Sequence, residues 1–253
     1  MNATDEQRIA TEFRNCITNT VHRIAGEDTH RPFHAALLSE KALFWSRFER
    51  SFSTSFGQRA IEQISRIVVE ANGAEEALNQ KQTRVSLSSA QLAAIDAHIS
   101  KLRTGQLGRP VNWEQDLREI EGNRIADPND ESRVISDLWW IKNGVNHYLS
   151  IKTVKPNIDQ TTEAKRDLLK LKLHDPRANV YFGLYYNPYG EHRADYAWTP
   201  PKGVFDFAHD DVVLIGRDYW DTLGGAGTYD EVLEIAKQVG KETRPLITAL
   251  RNG

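Results

Sequence analysis

A single cysteine, Cys16, stands among the 253 residues. Without a second thiol the chain can form no internal disulfide and no cysteine-built zinc site, and the setting expected for it is reducing and cytoplasmic. No apolar run approaches the roughly 20 residues needed to cross a bilayer, so no membrane association is expected. The opening Met-Asn-Ala-Thr-Asp-Glu-Gln-Arg carries acids and lacks the apolar segment of a secretory leader. An excess of positive charge is missing as well: 32 Lys and Arg against 35 Asp and Glu leave a formal net charge of -3. That excludes a uniformly basic nucleic-acid tail but not a locally basic cleft. The eight histidines form no His-Glu-x-x-His pattern. Gly224-Gly225-Ala226-Gly227 lacks the spacing of a dinucleotide or Walker loop, so no nucleotide cofactor is expected. Repeats and low-complexity tracts are also absent. What remains is an ordinary globular composition, 40% hydrophobic and 26% charged.

The pattern runs from helices to sheet. Ile9, Phe13, Ile17, Val21 and Ile24 recur at helical spacing over 5–24. Phe33, Leu37, Leu38, Phe44, Trp45 and Phe48 predict helix over 33–48, and Ile61, Ile64, Ile67 and Val68 predict another that stops at Asn72-Gly73. Helices over 74–82 and 88–102 complete a mainly helical N-terminal region, 1–105, of a single domain spanning 1–253. After Pro128 the period changes to two. Strands are predicted over 134–142 and 145–153, then a helix from Ile158 capped by Asn157, and a further strand over 179–186. Residues 130–186 form the expected catalytic core. A short strand over 211–215 and a helix over 229–239 follow.

Asn143-Gly144 suits a type I′ turn, which pairs Lys142 with Val145 and sets Asp137 opposite Ser150. Alternation then puts Asp137, Trp139, Tyr148, Ser150 and Lys152 on one face, and Leu138, Trp140, His147, Leu149 and Ile151 on the other. Asp137 and Lys152 become diagonal neighbours. Such a pair can hold a divalent cation and stabilise phosphoryl charge, or it can be a plain cross-strand ion pair. His147, flanked by apolar residues, reads as a packed strand histidine.

Asp137, then Ser150-Ile151-Lys152 and a helix, resembles the core of the PD-(D/E)xK nucleases. The longer string Ser150-Ile151-Lys152-Thr153-Val154-Lys155-Pro156-Asn157, with Gln160 after it, is similar to type II restriction endonucleases that cut GGNCC-like palindromes. The resemblance implies an α/β (α+β) mixed sheet flanked by helices, Mg2+ dependence, double-stranded DNA as substrate and a homodimer matching the palindrome. It also implies Asp137 as a metal ligand and Lys152 as a catalytic base-side group. Ser136 stands where the superfamily often has proline, and Ser150 where it has a glutamate. Some members take that carboxylate from the following helix, and Glu163, eleven positions after Lys152, is the candidate replacement. Glu163 shares an i,i+4 stripe with Asp159 and Asp167. Glu62 is an outside candidate for the missing acid. Loss of the glutamate also admits an inactive DNA-binding protein with the same fold, and absence of the hairpin would favour a helical interaction protein.

Residues 152–172 hold six bases and three acids. They form either a positive surface or a solvated amphipathic helix carrying Lys165, Arg166, Lys170 and Lys172. Lys155 and Asn157 border this segment as DNA-contact candidates, Asn157 doubling as a helix cap. Base readout is expected from the excursion over 189–202, where Arg193 could donate to guanine and Asp195 could accept from cytosine or orient Arg193.

Overall fold

The computed structural model describes residues 1–26, 30–123 and 129–252. The chain divides into two compact units: Met1–Ala71 with Asp230–Gly253, and Asn72–Tyr229.

The first unit is helical. α1 (Ala3–Ala25) is capped by Asn2, whose side chain accepts from the backbone of Thr4 and Asp5, and it buries Ile9, Phe13, Cys16 and Ile24. α2 (Pro32–Leu37) and α3 (Glu40–Ser55) follow. A π-helical turn, Phe56–Ala60, leads into α4 (Ile61–Ala71), which buries Ile61, Ile64, Ile67 and Val68. Arg8 ties α1 to α4 through Glu70 at 2.5 Å. The last helix of the chain, Thr228–Asn252, supplies the rest of this unit.

The second unit is built on a five-stranded mixed sheet, with its strands in chain order. β1 (Glu76–Ser88), β2 (Asn129–Lys142) and β3 (Val145–Ile151) pair antiparallel; β4 (Asn179–Leu184) and β5 (Val213–Ile215) add on in parallel. α5 (Ser89–Thr104) connects β1 to α6 (Trp113–Glu121), and α7 (Ile158–His174) makes the crossover between parallel β3 and β4. α8 (Arg217–Gly224) follows β5 and precedes α9, the Thr228–Asn252 helix. Trp139, Tyr148, Val180 and Phe182 share a buried cluster with Ile95 and Ile99 of α5 and Leu168 and Leu171 of α7. On the opposite face Trp140, His147 and Tyr181 stack, the Trp140 and His147 rings 4.6 Å apart. Desolvation there, and then Lys142, holds His147 below its ordinary pKa, as a packed histidine requires.

The mixed α/β architecture and helical N-terminal region match the sequence reading, and the hairpin has the predicted register, Lys142 against Val145 and Leu138 against Leu149. Asn143 and Gly144 both take positive φ, +53° and +66°, as a type I′ turn demands. The helix predicted over 33–48 is two helices, α2 and α3, parted where the Ser39 side chain caps α3, and a further expectation fails outright. The helix predicted over 74–82 is instead the first half of β1. Its Glu-Ala-Leu-Asn-Gln-Lys-Gln run is rich in helix formers, but pairing with β2 along its length overrides that local preference. α6 and α8 are elements that the pattern did not announce. The start of β2 reaches Asn129, five residues before the predicted Val134.

Candidate active site

Asp137 sits in the middle of β2, and Lys152 is the first residue after β3. The Asp137 carboxylate is held from two sides. Its Oδ2 accepts the backbone N–H of Ile151 at 2.6 Å, and its Oδ1 accepts Gln80 Nε2 at 3.3 Å. Lys152 Nζ lies 3.6 Å from the same Oδ2. Lys152 is itself placed by its backbone N–H, which donates to Gly183 O on β4 at 3.0 Å. The two side chains are 20% and 24% exposed, so the pair is held by the sheet and still open to a solute. The diagonal neighbours expected from the hairpin therefore do meet.

Gln80 was invisible as a site residue. The β1–β2 register brackets it opposite Asp137, between Asn79–Leu138 and Lys81–Ser136, and its φ is +52°. A non-glycine residue in that left-handed region inside a strand is uncommon and costs roughly 1–2 kcal/mol. The neighbouring Asn79 Nδ2 donates to Asp137 O at 3.2 Å. β1 thus fixes both the backbone and the carboxylate of Asp137.

α7 brings the other acids. Asn157 Oδ1 accepts the Gln160 N–H at 2.8 Å and Gln160 Oε1 accepts the Asn157 N–H at 3.1 Å, a reciprocal capping box that sets where the helix starts. Glu163 is exposed, whereas Asp167, one turn on, is partly buried. Burial pushes the Asp167 carboxyl above the ordinary carboxylate range. Lys170 opposes this, Glu163 adds to it, and Lys152 opposes it in turn. Asp167 therefore feels both the strand lysine and the helix glutamate. The i,i+4 stripe was its signal in the sequence. Ser150, partly buried on β3, is paired with Phe182 of β4. Glu62 lies in the first turn of α4, in the other unit.

One base from the 152–172 segment, Lys165, belongs to the interior and not to a solvated face. Lys165 is fully buried: Nζ donates to Asp116 Oδ2, and also to Val204 O at 2.6 Å. Asp116 is also met by Arg109 at 2.6 Å and His98 at 3.3 Å. Burial would raise the Asp116 pKa, but the close approach of His98 and the charge and hydrogen bond of Lys165 outweigh it and hold the pKa below the usual carboxylate range. Lys172 Nζ is spent on the carbonyls of Pro176 and Ala178. Arg166 pairs with Asp96 at 3.0 Å.

The excursion after β4 clasps the loop that follows Lys152. Tyr196 Oη donates to Val154 O at 3.0 Å and Trp198 Nε1 to Pro156 O at 2.8 Å. Lys155 Nζ stands 5.2 Å from the centre of the Tyr189 ring and 5.7 Å from that of Trp198. Arg193 Nε donates to Phe207 O and its Nη2 to Asp210 O, so this edge of the guanidinium is engaged by the backbone. Asp195 Oδ2 accepts the His192 N–H at 3.1 Å.

The chain's residues 1–240 match the family described as type II restriction endonuclease, HinfI. The chain belongs to that family. Three restriction enzymes of Herpetosiphon aurantiacus are similar to it along nearly their whole length. HgiEI is 30% identical over 239 residues, which is 92% of this chain and 85% of the relative. HgiCII is 29% identical over 248 residues, 96% and 89% respectively. HgiBI is 30% identical over 239 residues, with the same shares as HgiEI. No solved structure matches the chain. A general restriction-endonuclease-like function follows from membership in the HinfI family, and DNA binding is consistent with it. Among the described residues no helix is long and apolar enough to cross a membrane.

Among the described residues no group of three or more His, Cys, Asp or Glu side chains is gathered to hold a metal ion. Mg2+ needs less than that: it keeps several waters and is commonly bound through one or two carboxylates plus substrate phosphates. Asp137, a hard carboxylate fixed at the sheet beside Lys152, is a donor of the type such a cation accepts.

Proposed function

We propose that the protein is a Mg2+-dependent type II restriction endonuclease that hydrolyses phosphodiester bonds in double-stranded DNA at a short G/C-rich palindrome of the GGNCC type, acting as a homodimer. The observation that carries the reading is Asp137 braced by the Ile151 N–H with Lys152 3.6 Å away. Asp137 and Glu163 would hold the cation, which when bound polarises the scissile phosphate and acidifies water.

The rest falls to the chain. The Ile151 N–H and Gln80 keep the Asp137 oxygens aimed in one direction, which spares reorganisation during reaction. Lys152 presents its ammonium where negative charge develops on the phosphoryl oxygens and orients the attacking water by hydrogen bonding. The capped start of α7 sets the position of Glu163. Lys155 and Asn157, at the loop after β3, are the proposed contacts to the DNA backbone, with Arg193 and Asp195 as proposed readers of G·C pairs. The G/C-rich palindrome rests on the Lys152–Asn157 string and on those two side chains. Glu62 remains an alternative source of the second acid.

The test is a pair of variants assayed for cleavage and binding on the same duplexes. Lys152→Ala should reduce cleavage by roughly 10²-fold or more while DNA affinity changes little, because one lysine is a small part of the phosphate contact. Glu163→Gln should likewise lose most cleavage and require more Mg2+ for what remains. Wild-type cleavage in Glu163→Gln would move the second carboxylate to Asp167 or Glu62. Binding without any cleavage in the native protein would favour the inactive DNA-binding reading that Ser150 suggests.

A further inference from the structure

Two cavities of the helical unit run along one side of α1. The larger, about 870 Å³, is walled by Asn15, Asn19 and Arg23 of α1, by Thr54 and Ser55 at the end of α3, and by Arg59 of the π-helical turn. The second, about 530 Å³, shares Glu12 with it and continues past Thr11, Gln7 and Thr4 towards the start of α1. Positions 4, 7, 11, 15, 19 and 23 fall three or four apart and so form one stripe of the helix, roughly 28 Å long at 1.5 Å per residue. Hydroxyl, amide and guanidinium groups make up that stripe. Phe56 opens the π-helical turn and stacks on Phe13 of α1 at 5.9 Å, which holds the turn, and Arg59 with it, against the helix. Such turns are rare and concentrate at functional sites.

The groups that the fold leaves unused identify the ligand. Among the described residues no hydrogen bond or ion pair within the chain engages the side chains of Asn15, Asn19 or Arg59. Arg23 Nη1 donates to Ser51 Oγ at 2.8 Å, a neutral partner that aims the guanidinium without cancelling its charge. Arg8 and Arg66, at the second cavity, are met by Glu70 at 2.5 and 3.6 Å. Positive charge is therefore concentrated on Arg23 and Arg59, with Glu12 as the one acid among the lining residues. Burial pushes the Cys16 thiol up to about 11, so the floor of the larger cavity carries no charge at neutral pH. Cys16 and Ala60 are its only apolar lining residues, too little to hold a lipid or a hydrophobic peptide. Arginine, amide and hydroxyl side chains are instead the groups that contact DNA phosphate and sugar. We propose that this groove is a seat for the sugar-phosphate backbone of double-stranded DNA, with Arg23 and Arg59 each neutralising a phosphate and Asn15 and Asn19 donating beside them. The proposal takes its ligand from the nuclease reading above and uses no residue of the catalytic assignment.

Equilibrium binding of the full chain to several duplexes of unrelated sequence, in chelator and over a range of salt, tests it. Arg23→Ala and Arg59→Ala should each weaken binding roughly five- to tenfold at about 0.1 M salt, by the same factor on every duplex, and lower the slope of log affinity against log salt by about 0.9. The double variant should lose about twice that slope. Arg59→Lys keeps the charge and should restore most of it. Arg14→Ala removes a cation of α1 that pairs with Glu242 and lines neither cavity, and it should bind as the native protein does. Both groove arginines are exposed, and circular dichroism checks that their variants fold. Asn19→Asp, which adds an acid at a further exposed position, is an independent arm and should also weaken every duplex alike. A native salt slope in the double variant, a loss confined to particular sequences, or a native protein that binds no duplex would overturn the proposal. If the slopes fall but the native protein cuts no DNA in Mg2+, the nuclease reading fails and the groove stands; if it cuts DNA and the slopes hold, the reverse is true.

Discussion

Gln80 faces Asp137 across β1 and β2 with a backbone φ of +52°, and its Nε2 donates to Asp137 Oδ1 at 3.3 Å. Strain in one strand thus coincides with an oriented carboxylate in the next. Gln80→Gly should relieve the left-handed conformation and hold or raise stability by about 0.5–1 kcal/mol in urea unfolding. Cleavage should fall in the same variant, because Asp137 loses a hydrogen bond that aims it. Full activity in Gln80→Gly would show that the contact has no positioning role.

Lys165 and Asp116 make the opposite case, a charge pair that serves the fold. Both are fully buried, with Lys165 also bonded to Val204 O. Lys165→Met leaves Asp116 with Arg109 and His98 but strips it and Val204 O of a charged donor, so it should cost about 1.5–3 kcal/mol by chemical denaturation. Any loss of cleavage should then track the fraction unfolded. A stable, well-folded Lys165→Met protein would contradict this role.

Asp167 gives a pH dependence with a definite sign. Burial raises its pKa in the folded chain, so over the window between the unfolded and folded values the native state holds a proton that the unfolded state has lost. Its contribution to stability is present in acid and disappears as pH rises through the folded value. Asp167→Asn removes the charge that burial penalises, so the variant should match the native protein in acid and exceed it in urea midpoint at neutral pH. A variant weaker than native at neutral pH would mean that Lys152 and Lys170 more than offset the burial.

Arg193 can act at the bases only with donors that the fold has not taken, since Nε and Nη2 already hold Phe207 O and Asp210 O. Competition binding with single-pair changes separates its two uses. If it reads guanine, Arg193→Ala should erase about 1–3 kcal/mol of discrimination at one G·C pair. A loss equal at every duplex, accompanied by lower thermal stability, would assign it to bracing the excursion.

The hairpin was legible because its information is local. Asn143-Gly144 dictates the turn, and period-two alternation dictates which side chains share a face, so Asp137 and Lys152 could be paired on sequence alone. β1 was not legible, because its helix-forming first half becomes a strand only through a partner strand some sixty residues away. Comparable separations, 57 and 49 residues, hid the Gln80–Asp137 contact and the Asp116–Lys165 pair. A buried lysine and a solvated one are spelled alike, and what distinguishes Lys165 is an acid on α6 that no periodicity foretold. Lys155 was legible as a basic residue beside the site, but the Tyr189 and Trp198 rings that flank it come from the far end of an irregular excursion.

The central claim is that Asp137, held at the sheet beside Lys152, is the carboxylate around which cleavage is organised. Native protein and Asp137→Asn, incubated with unmodified bacteriophage DNA in Mg2+ and in chelator, test it most directly. The account predicts discrete fragments with a common end sequence from the native protein in Mg2+ alone, and none from Asp137→Asn although it folds and binds the same DNA. Native-like, Mg2+-dependent fragments from Asp137→Asn would contradict it.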